Sequence, residues 1–99
     1  MNLLTATEAE ILRLLVGEPK GLYGLELVKR SGGKLKRGSV YVLLSRLEDK
    51  GYLQVKSMPP PEGTGGMRRR LYRLDGAGQK ILSAYELMRD RLEGTVHAR

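Results

Sequence analysis

LYGLELVKRSGGKLKRGSVYVLLSRLEDKG, residues 22–51, contains two short apolar-patterned segments separated by a serine-glycine-glycine turn. Over Leu22–Arg30 the apolar residues Leu25, Leu27 and Val28 predict a helix, which Ser31, Gly32 and Gly33 end. After Lys34 and Leu35 a second helix is expected from about Arg37 to Lys50. Its inward stripe is Val40, Leu43, Leu44 and Leu47, at three- and four-residue spacing, and Gly51 stops it. Two helices joined by a glycine-containing turn, the second carrying base at its N-terminus, have the form of a helix-turn-helix.

The flanks complete this unit. On the N-terminal side Thr5 and Thr7 each precede a glutamate by three residues (Glu8, Glu10), so either can close a capping box. A helix over about Ala6–Val16 follows, with Ile11, Leu12 and Leu15 on one face, Leu4 or Glu8 a turn earlier, and Gly17 and Pro19 at its end. On the C-terminal side the period changes from helical to alternating. Leu53, Val55 and Ser57 share one face of a strand and Gln54 and Lys56 the other, and a second strand covers Arg68–Leu74 with Tyr72 and Leu74 inward. The proline- and glycine-rich residues 59–66 between them form the loop of a two-stranded wing. Asp75 then caps a last helix, ending near Gly94, whose stripe is Ala77, Ile81, Tyr85, Met88 and Leu92. Leu82 and Leu87 widen its apolar surface beyond what one small core can cover, which points to a partner helix; the alternative is that the helix folds back on its own domain.

The expected fold is mostly α with a small β-wing: three helices and a two-stranded antiparallel wing, followed by a C-terminal dimerisation helix. Residues 1–74 make the winged helix domain, 75–94 the dimerisation helix and 95–99 a frayed tail. Ninety-nine residues suit one domain. There is no cysteine for disulfides or thiolate sites, and no apolar run approaches the roughly 20 residues that cross a bilayer. A cytoplasmic protein with no membrane partner is expected.

Charge narrows the choice of partner. Residues 34–73 hold ten Lys and Arg against Glu48, Asp49 and Glu62, a surplus that equals the chain's entire net charge of +7. Such asymmetry suits a polyanion, although a solvated basic face would have the same composition. Once the leucine stripe is buried, Lys36, Arg37, Ser39, Tyr41, Val42, Ser45 and Arg46 remain to face a DNA groove. Arg37 suits guanine or phosphate, Val42 a thymine methyl, and the hydroxyls either phosphate or base edges. Arg68, Arg69 and Arg70 follow the loop directly and suit contact with the DNA backbone or minor groove, beside Lys56; the alternative is a solubilising strand edge.

Catalysis finds no support. His97, the sole histidine, falls in the expected tail, and Glu48 and Asp49 are helix neighbours that do not face each other. Gly63-Thr64-Gly65-Gly66 lies between strands instead of opening a helix, unlike a phosphate-binding loop. Neither a cofactor nor a metal site is expected.

Taken together, Leu4-Thr5 with Glu8 and Ile11-Leu12, Leu22-Tyr23-Gly24-Leu25-Glu26-Leu27, Gly38-Ser39-Val40-Tyr41, Leu44 with Arg46-Leu47-Glu48 and Gly51, and Arg69-Arg70-Leu71-Tyr72-Arg73-Leu74 with Gly78 resemble the PadR family of bacterial transcriptional regulators over residues 3–82. The resemblance implies a winged helix, a C-terminal dimerisation helix and repression at inverted-repeat operators, often relieved by a small molecule. It matches Tyr41 to the family's recognition-helix tyrosine, which contacts the DNA backbone, and Tyr23 to the tyrosine near the start of the second helix. Lys36-Arg37 stand where the family has a Ser-Pro-like helix start, and Val42 where a proline follows the tyrosine. Charge thus replaces capping. With one C-terminal helix and no Trp or Phe to line a drug pocket, the sequence names no effector.

The expected function is therefore a sequence-specific, double-stranded-DNA-binding regulator of transcription, a repressor acting as a homodimer on an inverted-repeat operator. Ile81, Tyr85, Met88 and Leu92 are the expected dimer contacts. The alternative is a winged helix protein-interaction module without DNA binding. An RNA-binding role is disfavoured by the absence of an aromatic stacking platform.

Overall fold

The computed structural model of the chain describes residues 4–62 and 65–97, with side chains as far as Leu92. Its elements, in order, are α1 (Ala6–Val16), β1 (Leu22–Tyr23), α2 (Gly24–Arg30), α3 (Arg37–Asp49), β2 (Leu53–Met58), β3 (Arg69–Leu74) and α4 (Gly76–His97). The architecture is the expected winged helix, mostly α with a small antiparallel sheet.

Thr5 caps α1. Its hydroxyl accepts from the Glu8 amide at 3.1 Å while Glu8 Oε1 accepts from the Thr5 amide at 2.9 Å, so two amides left open by the helix start are satisfied reciprocally. The Glu8 carboxylate is buried, and its other oxygen meets Lys50 Nζ at 3.2 Å, fastening the start of α1 to the end of α3. Burial raises the Glu8 pKa, but the Thr5 amide and the Lys50 ammonium together outweigh it and hold the group below its ordinary 4.5.

Leu22 and Tyr23 correct the expectation that the second helix begins at Leu22. They form a short strand antiparallel to β3, Leu22 opposite Tyr72 and Tyr23 opposite Leu71. The sheet therefore has three strands in the order β1-β3-β2, one more than the two-stranded wing expected. Gly21 makes this approach possible: its φ is 97°, and a Cβ there would stand 2.8 Å from the Tyr72 carbonyl oxygen. Tyr23 keeps an extended backbone, and Glu26 Oε1 accepts from its amide at 2.8 Å, so the helix starts at Gly24.

Buried Ser31 closes α2, its hydroxyl donating to the Val28 carbonyl at 2.8 Å and accepting from the Leu35 amide at 2.9 Å. α3 ends at Asp49 with Lys50 as its cap. β2 and β3 pair with Leu53 opposite Leu74, Val55 opposite Tyr72 and Met58 opposite Arg69, so β3 starts one residue later than expected. The core gathers Ile11, Leu12 and Leu15 of α1, Leu27 of α2, Val40, Leu44 and Leu47 of α3, and Tyr72 of β3. Each fully buried leucine contributes on the order of 1.5–3 kcal/mol, and these shared side chains hold the helices as one body. Leu43, expected inward, is only half-buried.

Asp75 caps α4, Oδ2 accepting from the Ala77 amide at 2.9 Å and Oδ1 from Gln54 Nε2 at 3.1 Å. Leu82 is buried, and Ile81 and Tyr85 pack half-buried on the chain's own core. Arg13 of α1 holds Glu86 at 2.7 Å. Past this point Leu87, Met88 and Leu92 are 53, 49 and 66% exposed. The expected stripe thus divides: Ala77 at its start is exposed, with Gly78 buried in its place, Ile81 and Tyr85 return to their own domain, and the second half is uncovered. The helix passes Gly94 and reaches His97, and the rest of the expected tail, residues 98–99, lies outside the described residues.

Candidate nucleic-acid interface

Burying Val40, Leu44 and Leu47 fixes which side of α3 faces outward. Lys36, Arg37, Ser39, Tyr41, Val42, Ser45 and Arg46 are all exposed there, as their helical spacing requires. Lys36 occupies the N-cap without a capping side-chain bond, and Ser39 Oγ turns back to the Lys36 carbonyl at 3.4 Å. The Ser39 amide donates to the Lys36 carbonyl at 3.1 Å, and the start of α3, with the positive end of its dipole, lies beside two exposed cations without a side-chain cap. Lys36, Arg37, Arg46 and Lys56 form no ion pair among the described residues. Their charge is available to a polyanion.

A groove of about 610 Å³ runs between the start of α2, Tyr41 of α3 and the root of the wing; Tyr23, Gly24, Leu25, Glu26, Lys29, Tyr41 and the three wing arginines line it. Tyr41 packs its ring against the backbone of Gly24. The wing arginines each have a different contact. Arg68 donates to the Ser57 hydroxyl at 2.7 Å and to the Ser57 carbonyl at 3.1 Å. Arg69 lies over the Tyr23 ring, 3.9 Å from its centroid, a cation–π contact, and forms no ion pair among the described residues. Arg70 NH2 meets Glu48 Oε1 at 2.7 Å. Tyr72, buried behind Arg70, has its pKa raised by burial, a rise that the Arg70 guanidinium partly offsets.

The structure therefore brings Tyr23, Tyr41 and Arg68–Arg70 to one groove; Lys36, Arg37, Ser39, Val42, Ser45 and Arg46 are exposed on α3 but do not line it. Lys56 stands apart, exposed on β2 opposite Leu71. Leu25 and Lys29 also line the groove and were missed, although their four-residue spacing places them on one face of α2 away from buried Leu27. Glu48 as the partner of Arg70 was missed as well. The Ile81 and Tyr85 side chains, expected at a dimer contact, are largely occupied by their own domain, which leaves Leu87, Met88 and Leu92 as the uncovered apolar surface. Among the described residues no cluster of three or more His, Cys, Asp or Glu could hold a metal, and no helix is long and apolar enough to cross a membrane.

Residues 11–84 match the model of the transcriptional regulator PadR-like family. Among solved structures, a PadR-like transcription factor from Bacteroides fragilis is 26% identical with a TM-score of 0.76, the match covering 92% of this chain and 86% of that one. A PadR family transcription regulator from Clostridium difficile is 27% identical with a TM-score of 0.71, covering 93% and 94%. The PcaV transcriptional regulator from Streptomyces coelicolor, solved with its natural ligand, is 27% identical with a TM-score of 0.75; 96% of this chain matches, spanning 62% of that protein. No curated protein matches in sequence.

Proposed function

The chain belongs to the PadR-like family of transcriptional regulators, and from that premise we propose that it binds double-stranded DNA as a homodimer and represses transcription by occupying an inverted-repeat operator. One observation carries the reading: over its first three turns α3 turns four residues of hydroxyl or charge (Arg37, Ser39, Tyr41, Ser45) outward, beside Lys36 and Arg46, which form no ion pair among the described residues. A helix so equipped fits the major groove, where Arg37 reads a base edge and Tyr41 holds the backbone. The wing then lies against the flanking backbone and delivers Arg69 and Arg68, with Lys56 adding charge. Two such domains meet through the uncovered half of α4, with Met88 and Leu92 at the contact and the outer edges of Ile81 and Tyr85 beside them. A cytoplasmic location follows from this role.

Selection of duplexes from a random pool tests the proposal. Two inverted half-sites centred about 10 bp apart, or a multiple of that, are expected of a two-fold dimer whose recognition helices stand roughly 34 Å apart. Recovery of no duplex, or of a single asymmetric site, would count against it.

A further inference from the structure

Building on the DNA-binding reading, we infer that Arg70 is a positioning residue: paired with Glu48, it acts as a strut that sets the wing's angle to α3 and does not itself touch DNA. Three observations support this. First, the Arg70–Glu48 contact at 2.7 Å is the one ion pair among the described residues that joins the wing to α3. Second, it sits at the wing's root. Arg70 is opposite Ser57, two residues along β3 from buried Tyr72, where the hairpin leaves the body of the domain. A restraint at that level governs the whole hairpin beyond it, whose tip is rich in glycine and proline.

Third, charge and direction separate Arg70 from its neighbour. Successive side chains leave opposite faces of a strand, so Arg69 and Arg70, although both border the groove, meet different partners there. Arg69 rests on the Tyr23 ring and has no ion-pair partner among the described residues. Arg70 is already neutralised, and a phosphate taking it would have to displace a carboxylate that repels phosphate. The strut matters because α3 and the wing must meet two parts of one duplex at once, at a separation fixed by the DNA.

The test compares the full-length wild type with Arg70→Gln and with the charge-swapped double variant Glu48→Arg, Arg70→Glu. The swap keeps the pair and the net charge, and the Tyr72 hydroxyl can donate to a carboxylate as readily as it accepts from a guanidinium. One readout is affinity for the duplex that wild type enriches from a random pool, measured over a range of salt. The other is amide hydrogen exchange in β2 and β3 without DNA. Arg70→Gln should weaken binding by roughly three- to fivefold, the range an exposed ion pair supports, with an unchanged salt slope, and should speed exchange in the hairpin. The swap should restore both to within about twofold of wild type.

A slope flattened by about two in the Arg70→Gln dimer would mean that Arg70 contacts phosphate and would overturn the inference. So would a swapped protein that binds more weakly than Arg70→Gln, or exchange that neither variant alters. If the wild type binds no duplex even at low salt, the DNA-binding reading itself fails, and the exchange arm still decides whether the pair holds the wing.

Discussion

Tyr41 of α3 rests its ring on the backbone of Gly24 so closely that a Cβ at position 24 would stand 2.6 Å from Tyr41 Cε1 and 2.9 Å from its hydroxyl. The start of α2 thereby holds the tyrosine that faces the groove. Gly24→Ala should leave the fold intact, because the displaced atoms are the far end of a half-exposed side chain and alanine favours a helix over glycine by up to about 1 kcal/mol. The Tyr41 hydroxyl would move, and losing one hydrogen bond to DNA should cost about 1 kcal/mol, roughly a fivefold fall in affinity. Thermal melting and duplex titration on the same variant check this. An unchanged affinity would show that Gly24 does not position Tyr41 for DNA.

Acid should loosen the joint between α1 and α3. The folded Glu8 carboxyl sits below its ordinary pKa of 4.5, so its contribution is fully present above that value and is lost as pH falls through the lower folded value. Glu8→Gln keeps an oxygen for the Thr5 amide but not the charge for Lys50. The variant should lose on the order of 1 kcal/mol at neutral pH, and the difference from wild type should shrink as pH drops below 4.5. Denaturant melts at several pH values measure both. A difference that stays constant with pH would exclude the ionised Glu8–Lys50 pair as the cause.

Met88 is half-exposed on the uncovered half of α4. If that surface meets a second copy, Met88→Asp buries an unpaired carboxylate at the contact at a cost of several kcal/mol. Sedimentation should then find a monomer with much weaker duplex binding and an unaltered monomer fold. A dimer that persists would place the contact elsewhere.

How far the sequence could be read depended on the range of each interaction. α1 and α3 were legible because a capping box and a leucine stripe are local patterns: Thr5 and Glu8 are three residues apart, and Val40, Leu44 and Leu47 follow one turn on another. The Leu22–Tyr23 strand was not, since its pairing partner lies some fifty residues on and the same residues also suit a helix start. For the same reason the wing arginines were visible as charge but not as three distinct contacts, which depend on the hairpin register bringing Arg70 to Glu48 and Arg69 to Tyr23. The stripe on α4 announced an apolar face without saying what covers it. Arg13 and the core claim the half near Leu82, and only the structure shows where that cover ends.

The wing and α3 should divide affinity from selectivity. Arg69→Ala should weaken enriched and scrambled duplexes alike and flatten the salt slope by up to about two in a dimer, because a phosphate contact carries no base information. Arg37→Ala should instead narrow the gap between the two duplexes, by about 1–3 kcal/mol for each lost bidentate base contact. Titrating both variants against both duplexes is sufficient. The opposite pattern would exchange the two roles.

DNA binding through this basic surface is the central claim, and its most direct test is the affinity of the wild-type protein for its enriched duplex as a function of salt. A dimer that neutralises about 6–10 phosphates should show log K falling linearly with log salt at a slope of roughly −5 to −9, a loss of about three to five orders of magnitude between about 50 and 200 mM. Binding that ignores salt, or no binding at the lowest salt, would contradict the account.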